Sequence, residues 1–197
     1  PQTTTIVALE DKWARAAKSS HVNYSFFFGA TNANSKLFEQ LDVHSIPGIK
    51  LFMGASTGNM LVDQRDSLEA TFRVAASLGL PVMTHCEDSG IINQNMKAAK
   101  ERFGEDPGIT HHWEIRSEEA CWQSSCLAVE LARKYKTQLH IAHISTAKEL
   151  SFAGHPEDEG RITLEAVIAH IIFSNEDYLT KGALIKCNPS VKTPADR

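Results

Sequence analysis

The sequence predicts an α/β fold built on a parallel sheet, and three observations carry that expectation. Strand-like and helix-like segments alternate from end to end of the 197 residues, the rhythm of strands joined by right-handed helical crossovers. The glycine-rich phosphate loops that would favour an open, doubly wound sheet (G-x-G-x-x-G, G-x-x-x-x-G-K-[ST]) are absent, and the small-residue stretch at 54–58 fits neither spacing. Polar residues stand at the ends of apolar strands, the place where a parallel barrel builds its site.

The elements follow in order. Residues 5–19 read as a helix, 22–29 as an aromatic-rich strand closed by glycine, and 34–41 as a short helix. Residues 48–52 form a short apolar strand interrupted by Lys50. Asp63 suits an N-cap, with Asp66 in the first turn, for a helix that carries Leu68, Phe72 and Ala75 on one face and stops at Gly79. Residues 81–85 form the next strand, and Asp88 caps a helix that ends at Gly104. A loop over 105–113 precedes a long helix opened by Ser117, with Glu118 and Glu119 at its positive end and Ala120, Leu127, Leu131 and Tyr135 on one face. Strands at 138–143 and 161–166 flank a short helix at 146–152. An acidic turn at 175–177 and an extended piece at 184–187 complete the chain.

Composition narrows the function classes. The chain is 42% hydrophobic and 22% charged with a net charge of −4, and it has no basic stripe for nucleic acid. Its longest apolar runs are far short of the ~20 residues that span a bilayer, and residues 1–9 do not resemble a signal peptide. Four cysteines without a C-x-x-C pair read as reduced thiols of a cytoplasmic protein, with Cys121 and Cys126 as small apolar residues on a helix.

Three strands hold residues that a buried strand should avoid. Ile49 and Leu51 share one face, so Lys50 points to the other, which in a barrel is the interior. Burial lowers a lysine pKa, and the neutral amine can form a carbamate, an anionic oxygen ligand. A solvated lysine on an edge or loop is the alternative. His85 stands where strand gives way to loop and suits zinc or a rim hydrogen bond; Glu87 and Asp88 behind it read either as partners that support such a ligand or as helix-capping residues, with capping favoured. His140 and His143 are three apart, so on a regular strand they face opposite sides. One of them is then structural, and His143 is the one at the C-terminal end.

Together these residues resemble the dihydroorotases of the amidohydrolase superfamily. The resemblance rests on Gly48-Ile49-Lys50-Leu51-Phe52-Met53-Gly54, His85-Cys86-Glu87-Asp88, His140 through Thr146, and Ile185-Lys186-Cys187-Asn188-Pro189 followed by Lys192 and Arg197. It implies a (β/α)₈ TIM-type barrel of which the chain holds strands three to seven. Residues 1–197 would be the central part of one barrel domain, with the barrel not closed within the chain.

The resemblance further implies two zinc ions bridged by a carboxylated Lys50, with His85 and His143 as ligands of one ion and Asn188 as a substrate contact. The ions would activate water and polarise a ring carbonyl. The reaction would be the reversible hydrolysis of dihydroorotate to N-carbamoyl-aspartate in pyrimidine biosynthesis. The family's His-x-His pair, the arginine after it and the catalytic aspartate have no match between Pro1 and Arg197. No catalytic residue is therefore expected within the chain, and the segment alone is expected to be inactive. Ala169-His170 stands where many relatives have two histidines, which points to a structural role for His170. Expected partners are a small-molecule substrate, with a homodimer left open. A dihydropyrimidinase or hydantoinase, or a non-catalytic scaffold should the chain be complete, are the alternative readings.

Overall fold

The computed structural model describes residues 2–54 and 60–197, so positions 55–58 of the small-residue stretch lie outside the described residues. Five parallel strands form one sheet: β1 (Phe28–Gly29), β2 (Ile49–Phe52), β3 (Val82–His85), β4 (Leu139–Ile141) and β5 (Ile162–Leu164). They stand side by side in sequence order. A doubly wound sheet would reverse its order part-way; a sheet that advances one neighbour at a time in parallel is the wall of a barrel. Here β1 and β5 are the two edges, and the wall is not closed.

Two-sided alternation builds the wall. Ile49 and Leu51 of β2 are fully buried on the helix side, whereas Lys50 and Phe52 on the inner side are half-buried. The helix side is covered by α2 (Arg65–Ser77), which buries Leu68, Phe72 and Ala75, and by α5 (Glu118–Tyr135). The buried stripe of α5 is mostly small: Ala120, Cys121, Ser124, Ser125, Ala128 and Ala132, with Val129 and Leu131. Small residues let this helix lie close to the strands, and the predicted Leu127 and Tyr135 pack only at its margin. The main core joins these helices to Phe28, Val82, Leu139, Ile141 and Ile162.

Local signals set several boundaries as expected. Thr5 caps α1 (Ile6–Ser19) through Ala8 N–H, Asp88 caps α3 (Ser89–Phe103) through Ile91 N–H, and Ser117 caps α5 through Ala120 N–H. Gly104 takes φ +94 at the end of α3, a backbone region that glycine enters without steric cost. The segments at 34–41 and 146–152 are 3₁₀ turns, Ser35–Gln40 and Lys148–Phe152.

Four expectations are corrected. The strand at 22–29 reduces to Phe28–Gly29, because Tyr24 and Phe26 instead pack on Trp13 of α1 with ring centroids 5.3 Å apart in each case. Asp63 does not cap α2: Gln64 holds that position without a side-chain bond, and the Asp63 carboxylate accepts from Asn32 Nδ2 at 2.9 Å. The loop at 105–113 contains a 3₁₀ turn, Ile109–His111, which leads into a short helix, α4 (His112–Ile115). The first half of the piece at 184–187 belongs to a 3₁₀ turn, Gly182–Ile185, with Ile185 buried and Leu184 exposed. Two further short helices, α6 (Ile168–Ile172) and α7 (Tyr178–Lys181), complete the C-terminal part. No described helix is long and apolar enough to cross a membrane, and all four cysteines are free.

Candidate active site

The parallel wall puts the C-terminal ends of β2, β3 and β4 beside one another; His85 and His143 meet there, and Lys50 lies on β2 two residues before the position that registers with His85. β2 turns Lys50 inward, with its Nζ 5.0 Å from the centre of the Phe52 ring. Burial pushes the Lys50 pKa down, opposed by the nearby Cys86 and Glu165. That is the direction a carbamate-forming amine needs, since only the neutral form reacts.

His85 ends β3 and is 4% exposed. β4 stops at Ile141, and the chain then passes Ala142, whose N–H donates to Thr84 O, to reach His143 at φ +41. This left-handed residue breaks the two-residue alternation, so the strand rule that separates His140 from His143 does not extend to it. His140 stays on β4, bonded to Thr163 Oγ1 at 2.9 Å and close to Glu165. His143 comes instead to His85: His85 Nδ1 and His143 Nε2 are 3.2 Å apart, with the two rings edge-on at 73°. His143, not His140, is therefore the histidine beside His85.

The charge state and spacing of the pair are compatible with metal ligands. Burial lowers the His143 pKa to about 4, helped by the neighbouring His85 and Lys50, so its imidazole is neutral at pH 7, the form a metal requires. Two nitrogens each ~2.0–2.1 Å from a tetrahedral ion lie about 3.3–3.4 Å apart, close to the observed 3.2 Å. Among the described residues no cluster of three or more His, Cys, Asp or Glu side chains could hold a metal. The donor set here is two histidines with a lysine beside them.

Behind His85 stands a carboxylate for which the sequence favoured capping over a supporting contact. Glu87 is fully buried and caps nothing; Asp88 does that work. Glu87 Oε2 lies 2.7 Å from His85 Nε2, and Arg116 donates to both Glu87 oxygens, at 2.9 and 2.6 Å. Burial alone would raise the Glu87 pKa; the bonds from His85 and Arg116 outweigh it and bring it down to about 2. The spacing His85-x-Glu87 could have flagged this residue, because positions two apart on extended chain share a face. Arg116 and Glu165, which accepts from His143 N–H at 3.2 Å, carried no such signal.

Asn188 lies on a separate loop. Its Oδ1 and the Cys187 carbonyl both face His112 Nε2, at 3.2 and 3.0 Å. The loop is tied back to the site through Ser190, whose hydroxyl donates to Arg116 O. His170 is buried, with its Nε2 2.9 Å from Pro189 O.

No family model matches the chain. A dihydroorotase of Methanosphaera stadtmanae is 29% identical over 195 residues, covering 98% of this chain and 43% of that protein. An allantoinase of Rubrobacter xylanophilus is 28% identical over 195 residues, covering 98% and 42%. Among solved structures, the L-hydantoinase of Arthrobacter aurescens superposes with a TM-score of 0.90 at 21% identity, covering all of this chain and 44% of its own.

The chain resembles the cyclic amidohydrolases over its whole length. A dihydroorotase of Campylobacter jejuni shares the fold at a TM-score of 0.65 and 17% identity. These proteins are named for three different ring substrates, so the likeness is to the group and not to one activity. The chain spans less than half the length of these curated relatives, and the open five-stranded wall is the corresponding part of their barrel.

Proposed function

We propose that the chain is the central part of the barrel domain of a metal-dependent cyclic amidohydrolase, with dihydroorotate as its substrate. One observation carries the reading: His85 Nδ1 and His143 Nε2 face each other at 3.2 Å on the ends of adjacent strands, with an inward, partly desolvated Lys50 on the strand next to them. Lys50, as a carbamate, together with His85 and His143, would hold divalent ions, for which zinc is the first candidate. Such ions would supply Lewis-acid polarisation of a ring amide and a lower pKa for water.

The chain's own residues prepare that chemistry. Glu87 and Arg116 keep the His85 ring turned toward His143. The lowered pKa of His143 keeps a lone pair free at neutral pH. Asn188 would supply a substrate contact from its own loop, where its Oδ1 faces His112 Nε2. The dihydroorotase reading draws on the 29% identical relative and on the Asn188-Pro189 motif. Allantoin or hydantoin hydrolysis is the second reading, favoured by the allantoinases among the curated relatives and by the fit to the hydantoinase structure.

Turnover by the full-length protein loaded with zinc decides between them. Dihydroorotate, allantoin, hydantoin and dihydrouracil are supplied side by side, and ring opening is followed by absorbance. The expected result is preference for dihydroorotate. Preference for another ring moves the assignment to the second reading, and zinc uptake with no hydrolysis of any of them would sink the enzymatic reading.

A further inference from the structure

We infer that Glu87 and Arg116 act as a positioning pair that fixes the proton and the ring orientation of His85. The inference rests on the metal-site reading above and names how that site is held. A carboxylate only accepts hydrogen bonds. The 2.7 Å contact between Glu87 Oε2 and His85 Nε2 therefore places the imidazole proton on Nε2 and leaves Nδ1, the atom facing His143, unprotonated with its lone pair directed at that residue. A histidine without such a partner exchanges its proton between the two nitrogens and can flip its ring.

Glu87 is in turn immobilised. Its side chain has no solvent exposure, and the Arg116 guanidinium grips both oxygens in a two-point fork. The fork fixes the carboxylate plane as well as its charge. Arg116 follows α4, and its own carbonyl is held by Ser190 Oγ at 3.0 Å. Lys192 Nζ, buried, donates to Ser190 Oγ at 2.9 Å and to Ser145 Oγ at 3.2 Å, two residues beyond His143. The network thus leaves His85, passes through Glu87, Arg116, Ser190 and Lys192, and returns to the segment that carries His143. One set of polar contacts joins His85 to the segment two residues beyond His143, and Asn188 lies two residues from Ser190 within the same loop.

An ion pair this buried could serve stability alone, and the test separates the two roles. Glu87→Gln keeps the shape but removes the charge, and an amide can donate or accept, so it no longer dictates the His85 proton. Glu87→Gln combined with Arg116→Met also removes the unpaired cation, and stability should largely recover, because loss of both partners of a buried pair is tolerated far better than loss of one.

Two readouts are taken on the full-length protein. The first is the ¹⁵N signature of His85 in metal-free protein, assigned with a His85→Gln control. The wild type should show a protonated Nε2 and a bare Nδ1, and both variants a mixture. The second is zinc affinity by competition with a chromophoric chelator, expected to fall 10–100-fold in both variants. Recovery of zinc affinity together with stability in the double variant would overturn the inference, as would an unchanged tautomer in Glu87→Gln. A wild type that takes up no zinc would remove the metal-site reading, while the tautomer measurement would still decide the role of Glu87.

Discussion

Gly54 is the position where a single methyl group should disturb both stability and site. The chain leaving β2 runs alongside the chain leaving β3, and Met53 N–H donates to His85 O at 3.1 Å. A Cβ built on Gly54 would lie 1.5 Å from the Glu87 carbonyl oxygen and 2.7 Å from its carbon. Real contacts of this kind do not fall below 3.0 Å, so Gly54→Ala requires the two backbones to part by about 1.5 Å in an interior packed with few voids. Neither atom is the end of a flexible side chain, so rotation cannot relieve the clash. A movement of that size breaks the Met53–His85 bond, worth ~1 kcal/mol net, and adds overpacking strain of ~1–3 kcal/mol. The expected loss of unfolding free energy is about 2–4 kcal/mol. The same movement displaces Glu87 from His85, so zinc affinity should fall at least tenfold. Urea unfolding of the full-length protein and chelator competition measure the two effects. Gly79→Ala is the control: φ is +68 with nothing within 4 Å of the added Cβ, so it should cost only ~1–2 kcal/mol of left-handed backbone and leave zinc affinity unchanged. A Gly54→Ala protein with wild-type unfolding midpoint and zinc affinity would refute the close approach and the reasoning built on it.

Three further outcomes are expected. Lys50→Ala should abolish paired metal binding; two zinc equivalents per chain retained in that variant, measured by elemental analysis, would count against the bridging lysine. His143→Gln should lose zinc affinity while His140→Gln keeps it, since His140 is committed to Thr163; equal losses in calorimetric titrations would contradict the division of roles. In metal-free protein, His143 has its pKa lowered to about 4 against ~6.5 when unfolded. Between those values the unfolded chain binds a proton that the folded chain does not, so stability should fall as pH drops from about 6.5 to 4, by at most ~3 kcal/mol. Glu87, held at about 2, contributes in a lower window: its stabilisation is present above ~4.5 and is lost below that. Urea melts across pH should show both limbs, and His143→Gln should remove only the upper one.

The parts of the fold legible in the sequence were those fixed by neighbours in the chain. Asp88 and Ser117 cap helices through bonds three residues away, and Ile49 and Leu51 declare a buried strand face by alternation alone. The first strand was overread because its aromatics serve packing on Trp13, a contact that composition cannot distinguish from a ladder. Lys50, His85 and His143 drew notice in the sequence because a polar residue within or at the end of an apolar strand needs a reason, and the structure brings His143 beside His85. For Glu87 capping was favoured over a role behind His85, because an acidic residue just before a helix looks the same whether it caps that helix or buries itself behind a histidine. What separates the two is Arg116, 29 residues further on at the end of a helix that itself read as loop.

The state of Lys50 depends on how much of the inner face is covered. In this chain Lys50 borders an open cleft of about 560 Å³, shared with Gly29, Phe52 and Met60 beside the β1 edge. Desolvation by the five strands already lowers its pKa. Any further chain packed over that edge would remove more water and push the pKa lower still, which enlarges the neutral fraction that can take up carbon dioxide. Carbamate formation at Lys50 should therefore be favoured by closure of the barrel as well as by bound metal. The full-length protein equilibrated with ¹³C-bicarbonate and zinc should show one carbamate carbon resonance that disappears in Lys50→Ala and weakens when the metal is removed. Its absence from zinc-loaded wild-type protein would mean that Lys50 stays an amine, and the bridging oxygen ligand would have to be sought elsewhere.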